Sequence, residues 1–443
     1  MNLEGKNIGI LGLGESGYWS AKLARSLNNK VFISDKNLNH SHPYVNELKQ
    51  LNVEVEVGKH SQKILDCDII IKSPGIPNEI DIINNIYDLK IPIISEIEFA
   101  SLLSNIKNIC ITGTNGKTTT VSLIYDILCT EFKILKSGNI GIPFSKVVLE
   151  NTLFKKNEFD YCILELSSFQ LEHSNFLRKE ISAILNISVD HIDRYNSFDH
   201  YLDTKMKIFE NSNHCIYNFD DIEIKKKFID HNNSSSFSLK KGHGNFYFNE
   251  NKIESEDTGF SLDVDKCKLQ GMHNISNFIA AATIAKKIGI SEKNIFRVIQ
   301  NFVGLSHRFE HFLNKNGIDF INDSKSTNID SAIMALKSID SNIILIMGGI
   351  PKEKDFSSIL KFKNNIQSIF AYGQAAKPIN DSLSSEINVK IFEKFDDAVN
   401  LSIQSASKGN TVLLSPACSS FDQFKNFEER GTAFKNIVKG FYV

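Results

Sequence analysis

The sequence predicts an α/β protein of three domains, and three observations carry that prediction. Short β-branched runs alternate with longer amphipathic stretches almost throughout the chain. Two glycine-rich segments stand where a strand-like run gives way to a helix-like one. The 443 residues suffice for about three domains at roughly 100–200 residues each, every one able to bury a core. Strands spaced by helix-length segments favour parallel sheets covered by helices on both faces.

The first series of strands reads as Ile8–Leu11, Val31–Ser34, Val53–Val57, Asp68–Lys72 and Ile91–Ser95. A second comprises Asn108–Thr112, Tyr161–Leu166, Ile181–Asn186 and Cys215–Asn218. A third contains Asp319–Asn322, Ile343–Met347, Ser368–Tyr372 and Thr411–Leu414. Between Phe219 and Lys268 the pattern weakens into Asn-, Ser- and Lys-rich sequence, which predicts hairpins and loops rather than a βαβ unit. Domain boundaries are expected near Ser95 and Gly304, where apolar periodicity lapses.

Composition excludes several classes. Fifty Lys and Arg against 52 Asp and Glu leave a formal charge of -2, without the basic footprint of a nucleic-acid binder. Hydrophobic residues at 42% argue against disorder, and no run approaches the ~18 apolar residues of a membrane span. Ile8–Leu11 is too short for a signal-peptide core. Seven cysteines, scattered and never spaced as CxxC, predict reduced thiols in a cytoplasmic protein rather than a disulfide or zinc framework.

Gly12-Leu13-Gly14-Glu15-Ser16-Gly17 follows the first strand, and Asp35 ends the second. Glycines there let backbone approach a diphosphate, whose charge is favoured at a helix start. The motif alone is weak evidence for a dinucleotide, because the same fold takes other nucleotides. Ser73-Pro74-Gly75-Ile76-Pro77 is a second backbone-lined turn at neighbouring strand ends. Together they predict a nucleotide or nucleotide-sugar site.

A sharper signal is Gly113-Thr114-Asn115-Gly116-Lys117-Thr118-Thr119 after the strand ending at Thr112. Its end offers amides and an ammonium to phosphates and a hydroxyl to Mg²⁺. The usual spacing would place glycine where Ile111 stands, so the loop is a shortened variant that still predicts ATP. Downstream, Glu165 ends a strand and His191 lies in Asp190-His191-Ile192-Asp193-Arg194. Alone, either is as well read as a turn residue; beside a phosphate loop in one parallel sheet, metal binding is the better reading. Lys205, on a predicted helix, reads by composition as a solvated lysine.

In the last third, Asn274 and Asn277 share a helical face and suit an adenine edge, or equally a helix cap. Arg308 presents a guanidinium for phosphate oxygens. Asp323 and Lys325 open a helix after a strand; they suit ribose hydroxyls and a transferred phosphoryl group. Ser415–Phe427 is a small, polar loop following a strand, and its Cys418, with no general base placed beside it, reads as packing.

These motifs, in this order over nearly the whole chain, resemble the Mur ligase family, and within it the members that add D-glutamate. The residues carrying the resemblance are Gly113–Thr119, Glu165–Leu171, Asp190–Tyr195, Gly271–Asn277, His307–Glu310, Asn322–Asn328 and Ser415–Gly431. The resemblance implies residues 1–95 as a Rossmann-like domain for a UDP-linked substrate. Residues 96–303 would be a P-loop ATPase-like domain, and 304–443 a Rossmann-like domain for the amino acid. It implies UDP-substrate contacts at Gly14, Ser16, Asp35, Lys36, Ser73, Gly75, Asn139, Ser167 and Gln170. ATP would meet Gly113–Thr119, Asn274, Asn277, Arg308 and Asp323, with Mg²⁺ at Thr118, Glu165, His191 and a carbamylated Lys205. Lys117, His191, Lys205, Arg308 and Lys325 would serve catalysis, and Thr327, Lys352, Ser420 and Phe427 would hold D-glutamate. The substrates implied are ATP, UDP-N-acetylmuramoyl-L-alanine and D-glutamate; no nucleic acid or membrane is involved, and a monomer is expected. Two alternatives stay open: a related amide ligase with another amino acid or a folate, and a nicotinamide-dependent oxidoreductase using Gly12–Gly17.

Overall fold

The computed structural model describes residues 3–38, 40–154, 159–189, 194–195, 197–228, 233–353 and 355–442. Three sheets are present. The first holds β1 (Asn7–Leu11), β2 (Lys30–Asp35), β3 (Glu54–Val57), β4 (Ile69–Lys72) and β5 (Ile93–Ser95). All are parallel, in the order β3-β2-β1-β4-β5. Because β1 has β2 on one side and β4 on the other, the strand order reverses there, and the crevice beyond their carboxyl ends is a natural ligand site.

The second sheet holds β6 (Lys107–Thr112), β7 (Ile134–Gly138), β8 (Tyr161–Glu165), β9 (Ile181–Ile184) and β10 (Cys215–Asn218). It continues through β11 (Ser234–Ser238), β12 (Phe246–Asn249), β13 (Lys252–Ser255) and β14 (Phe260–Asp263). Its order is β14-β13-β12-β11-β10-β9-β6-β8-β7. β6 lies between β8 and β9, again a switch point, and Thr112 leads from it into the glycine-rich loop.

The third sheet, β15-β16-β20-β17-β18-β19, comprises β15 (Glu310–Lys315), β16 (Ile318–Asn322), β17 (Asn342–Gly348), β18 (Ile366–Tyr372), β19 (Val389–Phe392) and β20 (Asn410–Leu414). Only β15 runs antiparallel to its neighbour.

Every strand expected from the sequence is present. The stretch from Phe219 to Lys268 needs correction: β11 pairs in parallel with β10 after the helix Ile222–Lys227, so a short crossover precedes the hairpins β12–β14. Ser-Ser-Ser-Phe-Ser hides this strand, because hydroxyls rather than β-branched carbons fill it. Strands β7 and β19 were also unreadable, being edge strands with at most two buried residues.

The described chain forms two compact units, one of residues 1–267 with 274–301 and one of 268–273 with 302–443. In the first, one apolar core runs from Ile8, Ile33 and Ile71 through Phe99 to Phe144, Leu164 and Leu202, so two sheets share it. At its centre, Ser95 caps the helix Glu96–Leu102, and Glu96 accepts a 2.6 Å hydrogen bond from the Ser145 amide. Burial outweighs this bond and pushes the Glu96 carboxyl up from 4.5 to about 7. The protonated group therefore contributes stability below pH ~4.5 that is lost as pH rises through about 7. In urea titrations from pH 5 to 8, Glu96→Gln is expected to flatten this loss, which reaches at most ~1.4 kcal/mol per pH unit. Identical pH slopes in variant and parent would refute the assignment.

Candidate active site

In the first sheet, the chain leaves β1 at Gly12 and β4 at Ser73, and the Ser73 hydroxyl donates to the Gly12 carbonyl at 3.3 Å. The helix Glu15–Ser26 starts at Gly14 with no side-chain cap, so no capping side chain occupies its first amides, which suit an anion. Asp35 accepts from the amides of Leu13 (2.8 Å), Asn37 (2.8 Å) and Leu38 (3.1 Å), and so ties the glycine loop to the exit of β2. Arg194 holds the second turn through the carbonyls of Pro74 (3.2 Å) and Ile76 (3.1 Å). Gly14, Lys36 and Gly75 are exposed and Ser16 half-buried.

In the second sheet, Gly116 caps the helix Lys117–Leu128 with φ 81°. A Cβ there would collide with the Asn277 side chain, so glycine is required on two counts. Asn277 accepts from Thr120 Oγ1 at 3.1 Å, while Asn274 is buried on the same helix, Met272–Ile288. Asn115 and Asn186 exchange two hydrogen bonds, 2.8 and 3.0 Å, and Thr114 is fixed by Ser188 and Tyr201. Lys117 Nζ donates to the carbonyls of Gly113 (2.7 Å) and Thr114 (2.8 Å), keeping the cation on the loop. Thr118 and Thr119 are half-buried in the first helical turn.

Two buried side chains stand at the loop and at the end of the neighbouring strand β8. Lys205 is 2% exposed, contrary to its compositional reading as solvated, and donates to Gly113 O at 2.8 Å and Thr112 Oγ1 at 3.4 Å. Glu165 ends β8 at 1% exposure; its Oε1 accepts from Asn139 Nδ2 at 3.0 Å, while the buried Oε2 has no hydrogen-bond partner. Gly138 lets Asn139 reach it, since a Cβ at φ 103° would overlap the Glu165 carbonyl. An orphaned carboxylate oxygen in so dry a position suits a hard divalent cation, which takes oxygen ligands. Among the described residues no group of three or more His, Cys, Asp or Glu could hold a metal. Magnesium commonly needs only one or two carboxylates plus phosphates, so the buried Glu165 carboxylate suits it. His191 lies outside the described residues. Ser167 and Gln170 form a reciprocal capping box on the helix Ser168–Leu171, which fixes both side chains.

In the second unit, the ends of β16, β20 and β17 are adjacent. Asp323 accepts from the Phe309 amide (3.1 Å) and Ser415 Oγ (2.9 Å). Burial pushes its carboxyl up to about 7, against these bonds and the nearby Arg308 and Arg430. The Lys325 ammonium lies 4.1 Å from the Phe427 ring centroid. Ser419 and Ile350 pair at 2.9 and 3.1 Å, which draws the segment leading to Lys352 against the Ser420 loop. Thr327 is half-buried and Ser420 buried. Cys418 is fully buried and its thiol is pushed up to about 12, as a packing residue requires.

Sequence reasoning assigned no role to Arg430. Its side chain is fully buried and donates to Ser324 O (2.7 Å), Ser324 Oγ (3.0 Å), Cys418 O (3.1 Å), Tyr372 OH (3.2 Å) and Gly348 O (3.3 Å). One guanidinium thus fastens the chain beyond the ends of β16, β17 and β20. In sequence it stands in a charged helical turn, Glu428-Glu429-Arg430, and nothing local distinguishes it from a solvated arginine.

Comparison with known proteins matches the MurD N-terminal domain at residues 7–82, the Mur ligase middle domain at 111–285 and the Mur ligase, glutamate ligase domain at 307–418. The chain is 36% identical to the UDP-N-acetylmuramoylalanine–D-glutamate ligase of Thermoanaerobacter pseudethanolicus, covering 99% of each. It is also 36% identical to that of Bacteroides thetaiotaomicron, covering 98% of this chain and 99% of the other. In fold it is similar to the crystal structure of MurF ligase from Thermotoga maritima in complex with ADP, with a TM-score of 0.61 at 15% identity over 93% and 94% of the chains. With glycine loops at two switch points, a dry Glu165 beside the second, and relatives matched end to end, the chain belongs to the Mur ligase family.

Proposed function

We propose that this chain is an ATP-dependent ligase joining D-glutamate to UDP-N-acetylmuramoyl-L-alanine in peptidoglycan precursor synthesis, acting as a cytoplasmic monomer. No helix among the described residues is long and apolar enough to cross a membrane, in keeping with soluble substrates. The observation that carries the reading is a glycine loop after β6 held by Lys117 and the buried Lys205, with the orphaned Glu165 oxygen at the end of the neighbouring strand β8. Full-length relatives named for this reaction supply its substrates.

A carboxylate is a poor electrophile toward an amine. The chain would overcome this by moving the γ-phosphoryl of ATP onto the alanyl carboxylate and then presenting the acyl phosphate to the amine of D-glutamate. Nitrogen attacks the acyl carbon, phosphate leaves, and the amine loses a proton. Lys117 and the amides of Gly113–Thr119 would hold the ATP phosphates, with Asn274 and Asn277 toward adenine and Asp323 toward ribose. Bound Mg²⁺, held by Thr118, Glu165, His191 and carbamylated Lys205, would offset charge on the transferred phosphoryl group. Arg308 and Lys325 would add cations, and His191 would orient rather than act as base. Gly14, Ser16, Asp35, Lys36, Ser73, Gly75, Asn139, Ser167 and Gln170 would bind the nucleotide-sugar substrate. Thr327, Lys352, Ser420 and Phe427 would bind and orient D-glutamate, and orientation supplies much of the rate.

The test is phosphate release from ATP with UDP-N-acetylmuramoyl-L-alanine across a panel of amino acids. D-Glutamate is expected to exceed every other amino acid by at least ~100-fold in kcat/KM, a margin of roughly 2.7 kcal/mol in transition-state binding. Equal turnover with another amino acid or a folate would transfer the chain to a different ligase reaction.

A further inference from the structure

Lys72 closes β4 and is 2% exposed, yet its ammonium has no hydrogen-bond partner among the described residues. Glu172 follows the helix Ser168–Leu171, and its buried Oε2 is likewise without one. The buried Tyr195 hydroxyl is a third such atom. Arg194, whose guanidinium lies 4.2 Å from the Phe169 ring centroid, donates to Pro74 and Ile76 in the turn that begins at Ser73. Glu172 is the strongest charge favouring the Lys72 cation and Arg194 the one opposing it, while Glu79 adds a weaker, exposed carboxylate. His173 Nε2 lies 4.0 Å from Glu172, but burial lowers that imidazole to about 3, so it is neutral.

Among the described residues, the exit of β4 therefore carries the cations of Lys72 and Arg194 beside one buried carboxylate, Glu172, and one exposed, Glu79, and the Lys72 ammonium is left without a bonded partner. An unpaired buried charge is costly unless something supplies its counterpart. The turn between these cations is the one that faces Gly12 across the switch point. We propose that Lys72, together with Arg194, is a charge pair completed by the diphosphate of the nucleotide-sugar substrate, drawing that anion to the Ser73–Pro77 turn. This inference rests on the proposed nucleotide-sugar site and gives it an electrostatic anchor outside the glycine loop.

A consequence separates it from a purely structural role. Burial lowers the Lys72 ammonium from 10.5 to about 8. A diphosphate brought beside it favours the charged form, so binding takes up a proton. Arg194, Glu172 and Glu79 face it as well; burial keeps the His173 imidazole neutral at pH 8 and raises the phenols of Tyr195 and Tyr87 above their ordinary value.

The experiment is calorimetric titration of the full chain with UDP-N-acetylmuramoyl-L-alanine at pH 8, in two buffers of different ionisation enthalpy. The parent is expected to take up about half a proton. Lys72→Met should bind at least about fivefold more weakly with no uptake. Lys72→Arg, always charged, should bind within about twofold of the parent, also without uptake. Uptake that persists in Lys72→Met, parent binding without uptake, or unchanged affinity in Lys72→Met would each overturn the inference. A parent chain that fails to bind this substrate would instead overturn the nucleotide-sugar reading beneath it.

Discussion

Alanine at Lys205 is expected to leave below ~1% of turnover, a loss no surface lysine would give. The geometry explains the size and sets the control. The ammonium is buried and donates to Gly113 and Thr112 at the base of the phosphate loop, so truncation removes two hydrogen bonds as well as a functional group. The proposed form is a carbamate: the neutral amine attacks carbon dioxide, forms an N–C bond and releases a proton. Oxygen ligands suit a hard cation, whereas an ammonium repels it. Short-chain carboxylates added to Lys205→Ala should then restore part of the activity, because they supply oxygens. They cannot restore a lost donor, so rescue by carboxylate distinguishes the two roles. Lys205→Arg should remain inactive, since guanidinium is not carbamylated at neutral pH. Parental activity in Lys205→Arg would reject the carbamate.

Lys117→Ala should lose at least a hundredfold in kcat/KM for ATP, roughly the ~2.7 kcal/mol of one electrostatic contact. Its Nζ donates to carbonyls of its own loop, and it lies at a helix start rather than in a core. Thermal unfolding of the variant should therefore stay within a few degrees of the parent. Steady-state phosphate release beside a circular-dichroism melt measures both quantities. Near-normal turnover would remove ATP from this loop.

Much of the architecture was legible because parallel strands buried on both faces are written in β-branched carbon. Ile109–Ile111 and Ile343–Met347 each lie wholly inside, and their runs announce it. Glycine loops were legible for a related reason: close approach of backbone demands the residue itself. Of the missed strands, Ser234–Ser238 lacks that carbon, while β7 and β19 lie at sheet edges where little of it is buried. Charged residues were the harder problem. Lys72, Lys205 and Arg430 are all nearly inaccessible, yet Lys205 and Arg430 sit among polar neighbours in sequence and Lys72 stands where an apolar run gives way to a turn. Whether a lysine is dry depends on what folds over it from elsewhere, and local pattern carries no record of that. Resemblance pointed to Lys205; nothing pointed to Arg430 or to Lys72.

Arg430 also bears on the order in which the second unit can be completed. The groups it fastens lie 106 residues earlier at Ser324, 82 at Gly348, 58 at Tyr372 and 12 at Cys418. All of them leave the ribosome before the helix Phe427–Phe441 that presents the guanidinium. The strands of the third sheet can pair during synthesis, but their loops lack their common fastener until this last helix docks. Fixing of these loops thus waits on a segment made after every strand of the sheet, and a nascent chain stopped short of Asn426 would carry the strands without the group that fastens their ends.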